Sequence, residues 1–216
     1  YTGPDTEHLG SEIYFGFHGY SAEGLVIVDV TDKADPEDLS VTGYDCDVYT
    51  HQGWITPDMR YCFLNDEIDE ATFGFNTRTR IFDITDLDAP TLLGQHISNV
   101  TSTDHNLYTL GDLAFMSNYT SGLRVVDFSR LEEGIMEEVA SFDVHPEDNN
   151  AGYSGTWSNY PYFPSGNIVV THRTTGLFVV KLQDLDGVVP QQEFDTNICP
   201  VEVSVSEFEA GDFTVI

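Results

Sequence analysis

Residues 24–39 read GLVIVDVTDKADPEDL: an apolar run, an aspartate, then a turn rich in Thr, Asp and Pro. The same pattern returns as RTRIFDITDLDAPTLL from Arg78, GLRVVDFSRLEEGIME from Gly122 and GLFVVKLQDLDGVVP from Gly176. Taking the residue after the apolar run as a mark, Asp29, Asp83, Asp127 and Lys181 fall 54, 44 and 54 residues apart. A pattern recurring at such a period identifies an array of one supersecondary unit.

A second element recurs upstream of the last three marks: THQGWI around His51, DHNLYTL around His105 and TWSNYPYF around Trp157, spaced 54 and 52. Between the two elements lie short strand-like runs, RYCFLND, LAFMSNY and NIVVTHR, separated by TPDM, LGD, PSG, TSG and TTG. Gly, Pro, Asn and Asp in such positions favour hairpins. Another β-like run follows each turn after the mark, as in TLLGQHI or EVASFDV. Each unit therefore reads as four antiparallel strands, and the expected fold is all-β, a β-propeller of four-stranded antiparallel blades. Such a blade buries both faces, which explains the near-continuous apolar runs LVIV and LFVV. SRLEEGIMEEVA has helical propensity, but the repeat makes it a loop leading into a strand, with a helical turn as the alternative.

The expected blades span about 1–47, 48–101, 102–150 and 151–182. Residues 183–216 form an acidic C-terminal segment that holds a last outer strand and the start of a further region. The first unit lacks its innermost strand. Either the two ends close a small ring or the chain is part of a larger one; the second is expected.

Charge limits the partners. With 37 Asp and Glu against 8 Lys and Arg, the formal net charge is −29. Such a surface repels phosphate backbones and anionic membranes, so no nucleic acid is expected as a partner. Counterions in salty water screen its self-repulsion. No run approaches the roughly 18 apolar residues of a membrane span, so no direct membrane insertion is expected. No basic-then-apolar leader opens the chain, which places any targeting segment upstream or already removed. Cys46, Cys62 and Cys199 show no CxxC spacing and leave one disulfide plus a thiol, or three thiols, open. The sequons at Asn99 and Asn118 are compatible with secretion.

At this point a family resemblance appears. GLVIVDVTDKADP resembles the LVIVD repeat. YTHQGWITPDMRYCFLNDEIDE, NTRTRIFDITDLDAP, DHNLYTLGDLAFMSNYTSGLRVVD and WSNYPYFPSGNIVV together resemble the choice-of-anchor B family of LVIVD-repeat proteins, over about residues 1–182. The resemblance implies a secreted or surface-attached β-propeller, further units before this stretch, and no established catalytic activity. VVTHRTTGLFVVK departs from the pattern: His172 and Arg173 occupy a turn, and Lys181 replaces the aspartate-like mark.

Two groups of residues are candidate sites. His51, His105 and Trp157, with Gln52, Asn106 and Asn159, occupy equivalent places on inner strands and would ring the channel mouth, where imidazoles and amides bind a metal or a small polar ligand. The structural alternative is that they cap turns or bridge blades, and Trp157 favours it because an indole is no metal ligand. Asn65, Asp66, Glu67, Asp69 and Glu70 form an acidic loop for which Ca2+ is the candidate cation, although the spacing is not that of an EF-hand. HPEDNN at 145–150 is a weaker acidic loop. The TDxxDP segments read as turn chemistry. Neither GxSxG nor HExxH occurs, and no phosphate loop opens a helix.

The functional expectation is a non-catalytic extracellular or cell-surface scaffold for protein or glycan partners, with self-assembly into a filament or sheath as one alternative. The other is a metal-dependent enzyme with a His-lined site.

Overall fold

The computed structural model describes residues 1–21, 23–183 and 196, and the backbone of 213–215. Four antiparallel sheets follow one another along the chain. The first has three strands, β1 (Ile13–Phe17), β2 (Leu25–Asp29) and β3 (Glu37–Thr42). The second comprises β4 (Thr50–Ile55), β5 (Tyr61–Asp66), β6 (Arg78–Asp83) and β7 (Thr91–Ile97). The third comprises β8 (Asn106–Leu110), β9 (Leu113–Ser117), β10 (Leu123–Asp127) and β11 (Glu137–Phe142). In the fourth, β12 (Thr156–Tyr160), β13 (Asn167–His172) and β14 (Gly176–Leu182) are joined by β15 (Phe213–Val215), which pairs with β14.

The repeat is visible in the hydrogen bonding. In β2, β6 and β10 the register against the next strand shifts at one equivalent place, between Ile27 and Val28, Ile81 and Phe82, and Val125 and Val126. The marking aspartates then cap the turn that follows: Asp29, Asp83 and Asp127 each accept the backbone N–H two residues on, from Thr31, Thr85 and Ser129, at 2.8, 2.9 and 2.7 Å. Asp32 does the same for Ala34 at 2.9 Å and Asp86 for Asp88 at 3.1 Å. These acids stabilise turns through short side-chain to backbone bonds.

Strand periodicity makes each sheet a two-sided layer. Along β5, Tyr61 and Phe63 face the third sheet, packing with Leu107, Met116 and Phe128, while Cys62 and Leu64 face the first, packing with Leu25 and Ile27. β10 divides likewise: Val126 joins the cluster between sheets two and three, and Leu123 and Val125 join Ile168, Val170 and Val180 between three and four. Alternate side chains of a strand point to opposite faces, so a run apolar at every position is one buried on both. Full burial of each large side chain contributes about 1.5–3 kcal/mol.

The sheets meet through β1 against β4, β4 against β8 and β8 against β12. This blade-like stacking does not close a ring among the described residues. β2 carries LVIVD as β6 carries RTRIFD, so β1 corresponds to β5, and the first sheet has no described strand in the place of β4.

Two connections contain helical turns. LEE at 131–133 makes a 3-10 turn ended by Gly134 at φ +78°, ahead of β11. The acidic connection after β5 contains the one-turn helix α1 (Asp69–Phe73), closed by Gly74 at φ +73°. No helix among the described residues is long and apolar enough to cross a membrane. Cys46 is disulfide-bonded and Cys62 is a buried free thiol. Cys199 and most of 183–216 lie outside the described residues.

Candidate functional site

The inner strands place the equivalent His and Trp positions by means of bulges. Register slips between Thr50 and Gln52 in β4 and between Thr156 and Ser158 in β12, which leaves His51 and Trp157 as the extra residues. A bulge turns its residue out of the ladder and re-aims its side chain. His105 immediately precedes β8, its N–H donated to Ser117 O at 3.0 Å. The result is a row of rings across three sheets: His51 stacked on His105 with centroids 4.7 Å apart, and Trp157 tilted against His105 at 4.3 Å.

Glu67 from the acidic connection completes this group. Its Oε2 lies 3.6 Å from His51 Nδ1 and its Oε1 3.8 Å from His105 Nε2, and Tyr119 Oη donates to Oε1 at 2.9 Å. The three ligand-type atoms lie within 4.8 Å of one another. Tyr119 sits at φ +34°, in a bridge to Thr156; the matching bridge from the first sheet, to Thr50, uses Gly19 at φ +57°. A tyrosine in that region is strained, which singles out a side chain held in place by its surroundings.

Burial sets the protonation of the group. It lowers both histidines from the ordinary imidazole value, with His51 adding to the effect on His105 and the Trp157 carbonyl and Glu67 opposing it. Burial also raises Glu67, against the hydrogen bond from Tyr119 and the nearby His105. His105 Nδ1 bonds the Trp157 carbonyl oxygen, which also accepts from Asn106 Nδ2 at 3.0 Å. Asn106 Nδ2 also lies 2.7 Å from Nδ1, so Nδ1 is held between that amide and the carbonyl, and Nε2 is turned towards Glu67.

An open pocket of about 300 Å³ adjoins these residues, walled by five aromatic rings, Tyr20, Tyr49, Tyr119, Tyr153 and Trp157, with Glu67 and Arg173 supplying charge. Arg173, in the turn after β13, donates to Tyr153 O at 2.8 Å. His172 Nδ1 accepts the N–H groups of Thr174 and Thr175 and so stays in the turn.

The amides of the repeated element bridge sheets. Gln52 accepts from Leu107 N at 3.0 Å and donates to Asn65 Oδ1 at 2.7 Å. Asn159 donates to Phe115 O at 3.0 Å and Ser117 Oγ at 2.9 Å. His105 and Asn106 bridge to Trp157 as described above. The structure thus brings His51, His105 and Trp157 together, and turns Gln52, Asn106 and Asn159 to neighbouring sheets.

The acidic connection is divided. Glu67 faces the histidines, whereas Asn65, Asp66, Asp69 and Glu70 turn inward and are buried. Asp66 accepts from Val48 N, Tyr49 N, Ile68 N and Tyr44 Oη and fixes the connection's path. Asn65 donates to Arg78 O, Thr79 Oγ1 and Asp104 Oδ2. Asp69 pairs with the buried Arg80 and lies 3.8 Å from Arg78 Nε. Burial raises Glu70 and Asp104 well above the ordinary carboxylate values; Asp104 and Asp69 add to the effect on Glu70, and Asp69 and Asp66 to that on Asp104. Asn99 is half-buried after β7; Asn118 is buried in the turn after β9, where its amide is out of reach once the chain has folded.

Sequence reasoning did not find Tyr20, Tyr49, Tyr119, Tyr153 or Asp104. Eleven tyrosines are a compositional hint, but no spacing links residues that meet from the connections of four different sheets. It also placed Glu67 with the other acids and not with the histidines.

Comparison with solved structures agrees with the fold. A protein from Lactobacillus plantarum superimposes with TM-score 0.58 at 16% identity, covering 99% of this chain and 61% of that one. It has a β-propeller-type fold. This chain, then, has a propeller-like β fold. It spans about three fifths of the length of that neighbour. A putative 6-phosphogluconolactonase from Bacteroides fragilis superimposes less well, with TM-score 0.47 at 12% identity over 88% of this chain and 69% of that one. No family model matches the sequence, and no curated protein matches it.

Proposed function

We propose that this propeller-like chain is a non-catalytic extracellular or cell-surface scaffold that binds glycan in the aromatic pocket to which the connections of all four sheets contribute. The observation that carries the reading is the pocket itself: five aromatic rings around about 300 Å³, with one arginine and one glutamate at hand. A concave site of this size suits one or two sugar rings, whereas a stable protein partner needs roughly 800 Å² of surface from each side. Aromatic faces pack against the apolar faces of sugars, and the charged pair orients hydroxyls.

The net charge of −29 and the disulfide at Cys46 support an oxidising, salty location. Membership of the choice-of-anchor B group of LVIVD-repeat proteins belongs to the same proposal, supported by the order of its motifs along residues 1–182. A glycan array probed with the protein, in the presence of EDTA, tests the reading. Binding to a defined set of glycans, weakened in Tyr153→Ala and Trp157→Ala, is expected; an array with no binding, or binding indifferent to both changes, refutes it. The second reading is a metal-dependent enzyme, favoured by the convergence of His51, Glu67 and His105.

A further inference from the structure

We propose that His51, Glu67 and His105 are the protein ligands of a divalent transition-metal ion held at the inner wall of the aromatic pocket. The proposal goes beyond the glycan reading and stands without it.

Four observations carry it. The first is geometry: the donor atoms lie within 4.8 Å of one another, with Glu67 at 3.6 and 3.8 Å from the two imidazoles. Those separations are too long for direct hydrogen bonds. They are close to the spacing of ligands that each stand about 2.0–2.2 Å from a shared zinc ion, so shifts of less than about 1 Å would close the shell.

The second is orientation. The Trp157 carbonyl and the Asn106 amide hold Nδ1 of His105 in place, which turns Nε2 to the shared point. Metal-bound histidines usually give their other N–H to a carbonyl or carboxylate in this way. Tyr119 fixes one oxygen of Glu67 in the same manner.

The third is charge. No hydrogen bond joins the Glu67 carboxylate to either imidazole, at 3.6 and 3.8 Å, and a cation between them satisfies all three.

The fourth is access. Glu67 lines the open pocket, so the group is approached from solvent on the side of its carboxylate. Three protein ligands with an open position is the arrangement of reactive, not purely structural, zinc sites.

The donor set selects the ion. Two nitrogens and one carboxylate suit zinc and its neighbours in the first transition row, while calcium takes six to eight oxygens. Trp157, which is no ligand, is here a positioning residue: its backbone orients His105 and its ring packs tilted against it, with centroids 4.3 Å apart. The third ligand is drawn from the neighbouring acidic connection instead.

The test uses the full chain, stripped with chelator and dialysed, then titrated with Zn2+ by calorimetry and with Co2+ by visible absorption. One ion per chain is expected, with the intense visible bands of four- or five-coordinate cobalt. His51→Gln and Glu67→Gln should each weaken Zn2+ binding by about 100-fold, the upper end of what loss of a supporting residue costs, while far-UV circular dichroism stays unchanged. His8→Gln is the control, because Asp5, His8 and Asp88 form a second, more exposed group with His8 Nε2 2.9 Å from Asp88 Oδ2. Zinc binding that survives both site variants, or is lost only with His8→Gln, overturns the proposal. So does a wild-type cobalt spectrum of weak octahedral type, which needs no variant to fold. Zinc binding without glycan binding sinks the glycan reading alone, and glycan binding in EDTA without zinc binding sinks this one alone.

Discussion

Replacing Gln52 by alanine tests whether the repeated polar residues hold the sheets together. The Gln52 side chain spans from the second sheet to the third: its oxygen accepts from Leu107 N, and its nitrogen donates to Asn65 Oδ1. Leu107 is 1% exposed, so truncation leaves a buried N–H without its partner. That costs about 1–3 kcal/mol, and loss of the bond to Asn65 about 1 more. The expected destabilisation is about 2–4 kcal/mol, which at about 2–4 °C per kcal/mol for a chain of this size lowers Tm by roughly 5–15 °C. Gln52→Glu sharpens the test. A glutamate still accepts from Leu107 but sets an oxygen against Asn65 Oδ1, and the asparagine cannot turn over because its Nδ2 is committed to three acceptors. It should therefore fail to rescue despite its shape. Urea unfolding followed by circular dichroism measures both. An alanine variant within about 0.5 kcal/mol of wild type, or a glutamate variant as stable as glutamine, refutes the bridging role.

Three further outcomes follow from buried groups and tight backbone. Burial pushes His96 down to about 4 from an ordinary value of 6.5. The unfolded chain thus takes up this proton first, and the stability tied to neutral His96 is present above pH 6.5 and lost as pH falls towards 4. The stability gap between wild type and His96→Leu should shift by about 2 kcal/mol against wild type from pH 7 to pH 5, and a gap independent of pH would contradict it. Gly155 has φ +97°, and a Cβ there would stand 2.1 Å from the Tyr119 carbonyl oxygen. Gly155→Ala should cost about 3 kcal/mol or more, against about 1 kcal/mol for Gly111→Ala, where φ is also positive but the space is open; equal melting points for the two would count against the packing. The Cys62 thiol is fully buried, and burial raises it above the ordinary thiol range. It should be inert to a thiol reagent in the native protein and react on unfolding; modification without loss of structure would contradict its place in the core.

The sequence alone determined the β architecture, because strand period, turn chemistry and repeat spacing are local properties. GLVIVDVTD announces a doubly buried strand and a capped turn wherever it stands, and Asp29, Asp83 and Asp127 each cap the turn after their strand. The equivalence of His51, His105 and Trp157 was legible for the same reason. What the three residues meet was decided only by the tertiary structure. Glu67 and Asp66 are neighbours in sequence, yet one faces two imidazoles and the other is buried on backbone N–H groups. Adjacent residues at a strand end point to opposite sides, and no periodicity states which side is occupied. The tyrosines of the pocket arrive from the connections of separate sheets, brought together as one sheet stacks on the next. Repeats specify how a blade is built; the site lies between blades, where the packing of one sheet on the next selects its members.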